Sequence, residues 1–306
     1  MSDASTDAGA ALLARVIATP DDDGPRLAYA AWLTAQGDAR GELIDVQVRL
    51  ASERPDPQRR RELGERERAL STTLRKAFAA EVRKAADHWE VRRGFIDELR
   101  GNAGKLLAGW QPLLATHPIR RLALSGVTVE HARALVDTGV IGRLVNLGLH
   151  GELGAEGARV LAQAPELAAV RKLNLAGCRL GDDGVAALLD SPHLACTQLT
   201  LRENDIGDQG AQALAGAPAL AGCRALFLAR NQIGDEGLAA LAGSVHLSGL
   251  EQLGVGGNEG ITGKGMKHLL APGLFPRMRR LELEMLDLAD KTRKALSARW
   301  GARVRF

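Results

Sequence analysis

Four consecutive stretches decide the fold: VRKLNLAGCRLGDDGVAALL from Val170, CTQLTLRENDIGDQGAQALA from Cys196, CRALFLARNQIGDEGLAALA from Cys223 and LEQLGVGGNEGITGKGMKHLL from Leu250. Each carries a Leu-x-Leu or Leu-x-Val doublet whose alternation sends both apolar side chains to one side of a strand. Working outward, doublets begin at Leu122, Leu147, Leu173, Leu199, Leu226, Leu253 and Leu281, in steps of 25, 26, 26, 27, 27 and 28 residues. Self-similarity at this period marks a solenoid, in which each unit buries its apolar face against its neighbours. An asparagine stands three residues after the second apolar residue at Asn204, Asn231 and Asn258, where its amide can satisfy backbone groups of adjacent turns. In the Gly-Asp-x-Gly segment that follows, glycines suit the turn, and Asp208 or Asp235 is expected to cap the helix that comes after it. Gly237, Leu238, Ala239, Ala240 and Leu241 then make a short helix, small on one side and leucine-bearing on the other. One unit is therefore a strand, a turn and a helix.

This pattern resembles the leucine-rich repeats of the ribonuclease-inhibitor type over about residues 119–306. The resemblance implies an α/β solenoid with a curved parallel sheet inside and short helices outside. The units are a little shorter than is usual for that type. The first copy (Leu122 to Val136) and the last (LELEMLDLADKTRKALSARWG) lack the asparagine and the Gly-Asp turn, as end units that must cap one face do. Gly94 to Leu99 is expected to add an eighth, irregular strand with LLAGWQPLLATHP as its helix, which places the solenoid at 94–306.

Composition agrees with a repeat array. Hydrophobic residues make up 45% of the chain but aromatics only 3%, so leucine and alanine ladders replace the aromatics on which globular cores lean. No apolar run reaches the ~18 residues of a membrane helix. The acidic, polar start MSDASTDAGA lacks the pattern of a secretion signal, so a cytoplasmic location is expected, with no membrane contact. Cys178 replaces the repeat asparagine, and Cys196 and Cys223 sit three residues before successive doublets. All three read as free, core-facing small hydrophobes. No Cys-x-x-Cys pair exists, no histidine stands in His-x-x-x-His, and GVGGNEGITGKG lacks the hydroxyl residue of a phosphate loop. No metal, cofactor or catalytic residue is expected, and the protein is not read as an enzyme.

Residues 1–53 are different in kind, with nine acidic against four basic residues. Leu12, Leu13, Val16 and Ile17 mark a first helix stopped by Pro20. Asp23 as N-cap and Pro25 as a first helical residue open a second, and a third runs from about Arg40 to Leu50. The segment is similar to the small repeat-companion domain that precedes repeat arrays in many myxobacterial and planctomycete proteins, which implies a bacterial source. The matching residues are Pro20-Asp21-Asp22-Asp23, Pro25-Arg26-Leu27, Tyr29, Trp32-Leu33, Gly37-Asp38-x-Arg40-Gly41-Glu42 and Gln47, with Ala31 standing where that family has aspartate. Within it, Asp38, Arg40 and Glu42 read as an Arg–carboxylate pair locking a helix–helix corner. Residues 54–93 are basic, 12 Lys or Arg against 7 acidic. Leu63, Leu70, Leu74, Phe78, Val82 and Trp89 fall on a helical stripe, which predicts an amphipathic connector and capping helix from Pro57 to His88. Its mixed charges and lack of a stacking platform speak against nucleic acid.

Function is expected on the concave face, from side chains that alternate with the buried leucines. The candidates for holding a protein partner are Arg121, His150, Lys172, Asn174, Arg202, Phe227, Arg230, Glu282 and Glu284, with an outward Phe227 beside Arg202 and Arg230 as the centre. The reading is a non-catalytic interaction scaffold or adaptor. Two alternatives stay open. One is a regulator such as a GTPase-activating protein of leucine-rich-repeat build, with Arg202 or Arg230 as its arginine finger. The other is a weak nucleic-acid binder acting through the basic helix.

Overall fold

The computed structural model describes residues 3–52 and 56–306. The expected boundary between residues 53 and 54 lies outside the described residues. The chain divides into two compact units, Met1–Leu122 and Ala123–Phe306, so the segment from Gly94 to Leu122 belongs to the first.

The first unit begins with helices α1 (Asp3–Ala18), α2 (Asp23–Ala35), α3 (Ala39–Ser52) and α4 (Pro57–Val82). The cap of α2 is Asp22 and not Asp23, since its Oδ1 accepts from Gly24 N at 2.8 Å. α2 and α3 cross closely at Gly41, where a Cβ would stand 2.5 Å from the Ala30 carbonyl oxygen. The core gathers Val16, Tyr29, Leu33, Ile44, Val48 and Phe95, with the Tyr29 ring stacked on both Trp32 (5.7 Å) and Phe95 (5.9 Å).

α4 ends at Val82, and Trp89 lies on strand β1 (His88–Arg92), paired antiparallel with β2 (Phe95–Asn102). This corrects the expected helix to His88. The tip residues Arg93 and Gly94 both take left-handed backbone, φ 50° and 73°, which suits the twist of a two-residue hairpin. A helical stripe drawn through Trp89 overlooked that turn. Phe78 and Trp89 still meet, with ring centroids 6.1 Å apart. Helices α5 (Ala103–Gly109) and α6 (Gln111–Thr116) follow β2.

From β3 (Arg121–Thr128) onward, strands and helices alternate: α7 (Val129–Asp137), β4 (Asn146–Glu152), α8 (Gly154–Ala162), β5 (Lys172–Asn174), α9 (Gly181–Leu189), β6 (Gln198–Thr200), α10 (Asp208–Gly216), β7 (Ala225–Phe227) and α11 (Asp235–Gly243). β8 (Gln252–Gly254) is followed by a 3-10 segment, Gly265–Leu270. β9 (Arg280–Glu282), α12 (Asp290–Trp300) and β10 (Val304–Arg305) close the unit. Strands β4 to β10 pair in parallel and in chain order, setting Leu147, Leu173, Leu199, Leu226, Leu253 and Leu281 side by side, with Val304 ending the row. Each of the six leucines is at most 1% exposed. Helices α7 to α11 stack in the same order, so every unit covers its neighbour's leucines.

Each repeat asparagine ties its own unit to the one before it. Asn231 Oδ1 accepts from Asn204 N (2.8 Å) and Ile206 N (3.1 Å), while its Nδ2 donates to the carbonyls of Leu201 and Leu228, both at 2.9 Å. Asn204 and Asn258 repeat this arrangement one unit to either side. Cys178 fills the same place in its unit, with Sγ 3.2 Å from the Leu149 carbonyl oxygen.

The aspartates act differently from the expectation. Asp208 Oδ1 accepts from Gly234 N (2.7 Å) and Gly237 N (2.8 Å), both in the next unit. Asp182 does the same for Gly207 N at 2.7 Å, and Asp235 for Thr262 N (2.7 Å) and Gly265 N (2.9 Å). Each aspartate therefore satisfies the orphan amides that begin the following unit's helix and not its own. The second glycine of the motif makes room for it, since a Cβ on Gly237 would stand 2.5 Å from Asp208 Oδ1.

The three cysteines are free and buried. Burial pushes Cys178 and Cys196 up to about 12 and Cys223 to about 11, so the reactive thiolate is scarce at neutral pH. In the native protein a disulfide-type thiol reagent at pH 8 should label none of them within minutes, and all three at once in denaturant. Prompt labelling of native Cys178 would contradict its place in the ladder.

Candidate functional site

The centre of the second unit's sheet carries one built group on the face opposite the helices. In-register pairing puts Thr200, Phe227, Gly254 and Glu282 in one row across β6 to β9. The Arg202 guanidinium lies over the Phe227 ring, 5.0 Å from its centroid, and continues to Glu282 with Nη2 3.0 Å from Oε2. Arg280 Nε holds the other Glu282 oxygen at 2.6 Å. Gly254 permits the stack, since a Cβ there would stand 3.1 Å from both Glu282 Oε2 and Phe227 Cδ1. Glu282 is buried and Phe227 half-buried. The ring is therefore covered by its arginine instead of standing free.

Arg230 does not join this group. Its backbone is left-handed at φ 57°, and it pairs with Glu203 Oε1 at 2.9 Å while its other arm lies 3.8 Å from Met285 Sδ. Both arginine-finger candidates are thus held by carboxylates of the same chain. Lys172 and Asn174 stand exposed on β5, and Asn174 Oδ1 accepts from Ala176 N at 3.0 Å. His150 lies along Gly177, donating from Nδ1 to the Ala176 carbonyl at 2.7 Å. Glu284 is half-exposed beyond β9. Arg121 belongs to the first unit, where it is paired with Asp97, with Glu98 at 3.0 Å and with Glu90 at 3.8 Å. The structure thus brings together Arg202, Phe227 and Glu282, sets His150 on β4 and Lys172 and Asn174 on β5 with Glu284 beyond β9, and assigns Arg121 to the first unit. Arg280, which alternation along the strand places on this face two residues before Glu282, was not among the partner-binding candidates.

In the first unit the Gly-Asp-x-Arg-Gly-Glu motif is spread over several partners. Asp38 Oδ1 accepts from Arg40 N at 2.8 Å, and Glu42 pairs through both oxygens with Arg66 of α4. Arg40 lies over the Phe95 ring at 4.7 Å, donates from Nε to the Gly94 carbonyl at 3.0 Å, and reaches His117 Nδ1 at 3.2 Å. Gln47 Oε1 accepts from Gly94 N at 2.7 Å. The motif thereby fixes α3 to the hairpin and to α4, a larger task than closing one corner. His117 Nδ1 also accepts from Ile96 N at 3.2 Å, so the proton of the neutral ring sits on Nε2 and is donated to Glu81 at 2.7 Å.

Burial, chiefly, and the Arg40 charge hold His117 below its ordinary 6.5, against the opposing pull of Glu81. A base whose folded value is depressed binds fewer protons than its unfolded form, so its stability contribution is complete above pH 6.5 and falls away as pH drops below it. Thermal melts from pH 7.5 to 5 should show this loss, and His117→Gln should flatten it. An unchanged profile in that variant would assign the pH dependence elsewhere.

Among the described residues no group of three or more His, Cys, Asp or Glu is placed to hold a metal ion. No described helix is long and apolar enough to cross a membrane.

The class follows from the ladder: this is an α/β protein carrying leucine-rich repeats, preceded by a helical region. The family described as Leucine Rich repeat matches at residues 170–189, 197–215 and 224–242. Solved structures similar to the chain include an internalin, InlF, from Listeria monocytogenes str. 4b F2365, at 16% identity over 65% of this chain and 70% of that one, TM-score 0.35. Others are the octameric complex of Latrophilin 3, Unc5D and FLRT2 (LRR), at 14% over 68% and 66%, TM-score 0.34, and the yeast Rad7–Elc1 complex, at 17% over 59% and 67%, TM-score 0.27. Among curated proteins none matches the chain.

Proposed function

We propose that the protein is a non-catalytic scaffold that holds a protein partner on the open face of the repeat sheet, centred on Arg202, Phe227 and Glu282. The observation that carries this reading is the stack itself. An arginine laid on an aromatic ring and fixed by a buried carboxylate is rigid before any partner arrives, so little side-chain entropy is lost on binding. Arginine and aromatic anchors are also enriched among residues that dominate interface energies. Lys172, Asn174, His150 and Glu284 supply polar contacts on the same sheet. The repeats are taken as ribonuclease-inhibitor type and the first unit as a repeat-companion domain. Three free thiols suit the reducing cytoplasm of a bacterium.

Affinity capture from the native host with the wild type and Arg202→Ala in parallel tests the reading. A protein retained by the wild type should be lost or weakened by about tenfold or more with Arg202→Ala, at unchanged melting temperature. Equal recovery on both would place binding elsewhere.

A further inference from the structure

The first unit contains a groove that the repeat sheet does not use. β1 is the terminal strand of its sheet and among the described residues pairs only with β2, which leaves its other edge open there. Alongside runs a cavity of about 440 Å³ lined by Leu43 of α3, by Ser71, Thr72, Arg75 and Phe78 of α4, and by Asp87, His88, Trp89 and Val91. Ser71, Arg75 and Phe78 recur at i, i+4 and i+7, so one helix face supplies them. The floor is apolar: Leu43 and Phe78 are buried, and Trp89 and Val91 half-buried. The rim is cationic. Arg75 is exposed and unpaired among the described residues, while Asp87, the one carboxylate of the lining, is neutralised by Lys105. β1 is only 5 residues long, which suits a short segment better than sheet-to-sheet association.

The geometry points to a peptide-docking groove: an extended, acidic segment of a partner protein adds to the free edge of β1. It seats one apolar or aromatic side chain over Phe78 and Trp89 and sets a carboxylate against Arg75. Main-chain pairing supplies affinity in this mode, and the side-chain cavity supplies selection. The groove lies in the first unit, so this inference is independent of the sheet-face reading.

The probe is an acetylated, amidated hexapeptide alternating Glu and Val with one central Phe, titrated calorimetrically into the full chain. Three comparison ligands accompany it: the same peptide with Lys for Glu, the same peptide N-methylated at alternate amides, and a single-stranded oligonucleotide of equal net charge. The acidic peptide should bind, with about tenfold loss on Arg75→Glu and loss to baseline on Ser71→Trp, which fills the cavity. Arg75 is exposed and Ser71 partly exposed, so melting temperatures should hold, and a variant whose melting temperature falls is replaced by Arg75→Gln. The Lys peptide and the N-methylated peptide should each bind far more weakly. No binding, indifference to Arg75→Glu, indifference to N-methylation, or tighter binding of the oligonucleotide would each overturn the proposal.

Discussion

Asn231→Ala is expected to destabilise the second unit by about 3–5 kcal/mol, among the largest effects of any single substitution in the chain. The side chain makes four backbone hydrogen bonds of 2.8 to 3.1 Å, to Asn204 N, Ile206 N, Leu201 O and Leu228 O. All are buried, so alanine leaves two donors and two acceptors where water has little access. Asp208→Ala should cost less, about 1–2 kcal/mol, because the amides it releases are only part-buried. Urea melts of both variants check the ranking. A loss under about 1 kcal/mol for Asn231→Ala would mean that water replaces the amide.

Leu228→Ala should cost about 2–5 kcal/mol, whereas Phe227→Ala, one residue away, should leave stability nearly unchanged and weaken partner binding instead. Leu228 is 0% exposed in the ladder core. Phe227 points to the opposite side of the sheet, where its ring contacts Arg202. Because side chains alternate with period two, a one-residue slip would exchange the two roles. Melting temperatures of the two variants therefore test the register directly. Equal destabilisation would discard it, and with it every residue assigned to the open face.

The repeat architecture was legible because it is written in short-range patterns. The spacing of doublets fixed which leucines become neighbours, and the asparagine position was correctly read as a backbone-satisfying one. The aspartate was misread by one unit. From the sequence, Asp208 sits at the start of its own helix, and only the stacking distance between units shows its carboxylate closer to Gly234 and Gly237. The helix through Trp89 failed because a hairpin is decided by pairing between strands, and Arg93-Gly94 is a weaker turn signal than the apolar stripe was a helix signal.

Candidate binding residues were legible only as a face. Alternation along a strand tells which side a residue occupies, so Arg202, Phe227 and Glu282 could be placed on one surface. That Arg202 reaches a carboxylate 80 residues away, while Arg230 turns aside to Glu203, depends on the left-handed backbone at Arg230 and on the missing side chain at Gly254. The same holds in the first unit, where Arg40, Gln47 and Glu81 converge on Gly94 and His117 from separate helices. Local pattern set the period, the buried ladder and the sides of the strands, because each depends on residues a few positions apart. Tertiary structure alone decided which charges meet and which edge and groove stay open, because those depend on distances between units that no local pattern encodes.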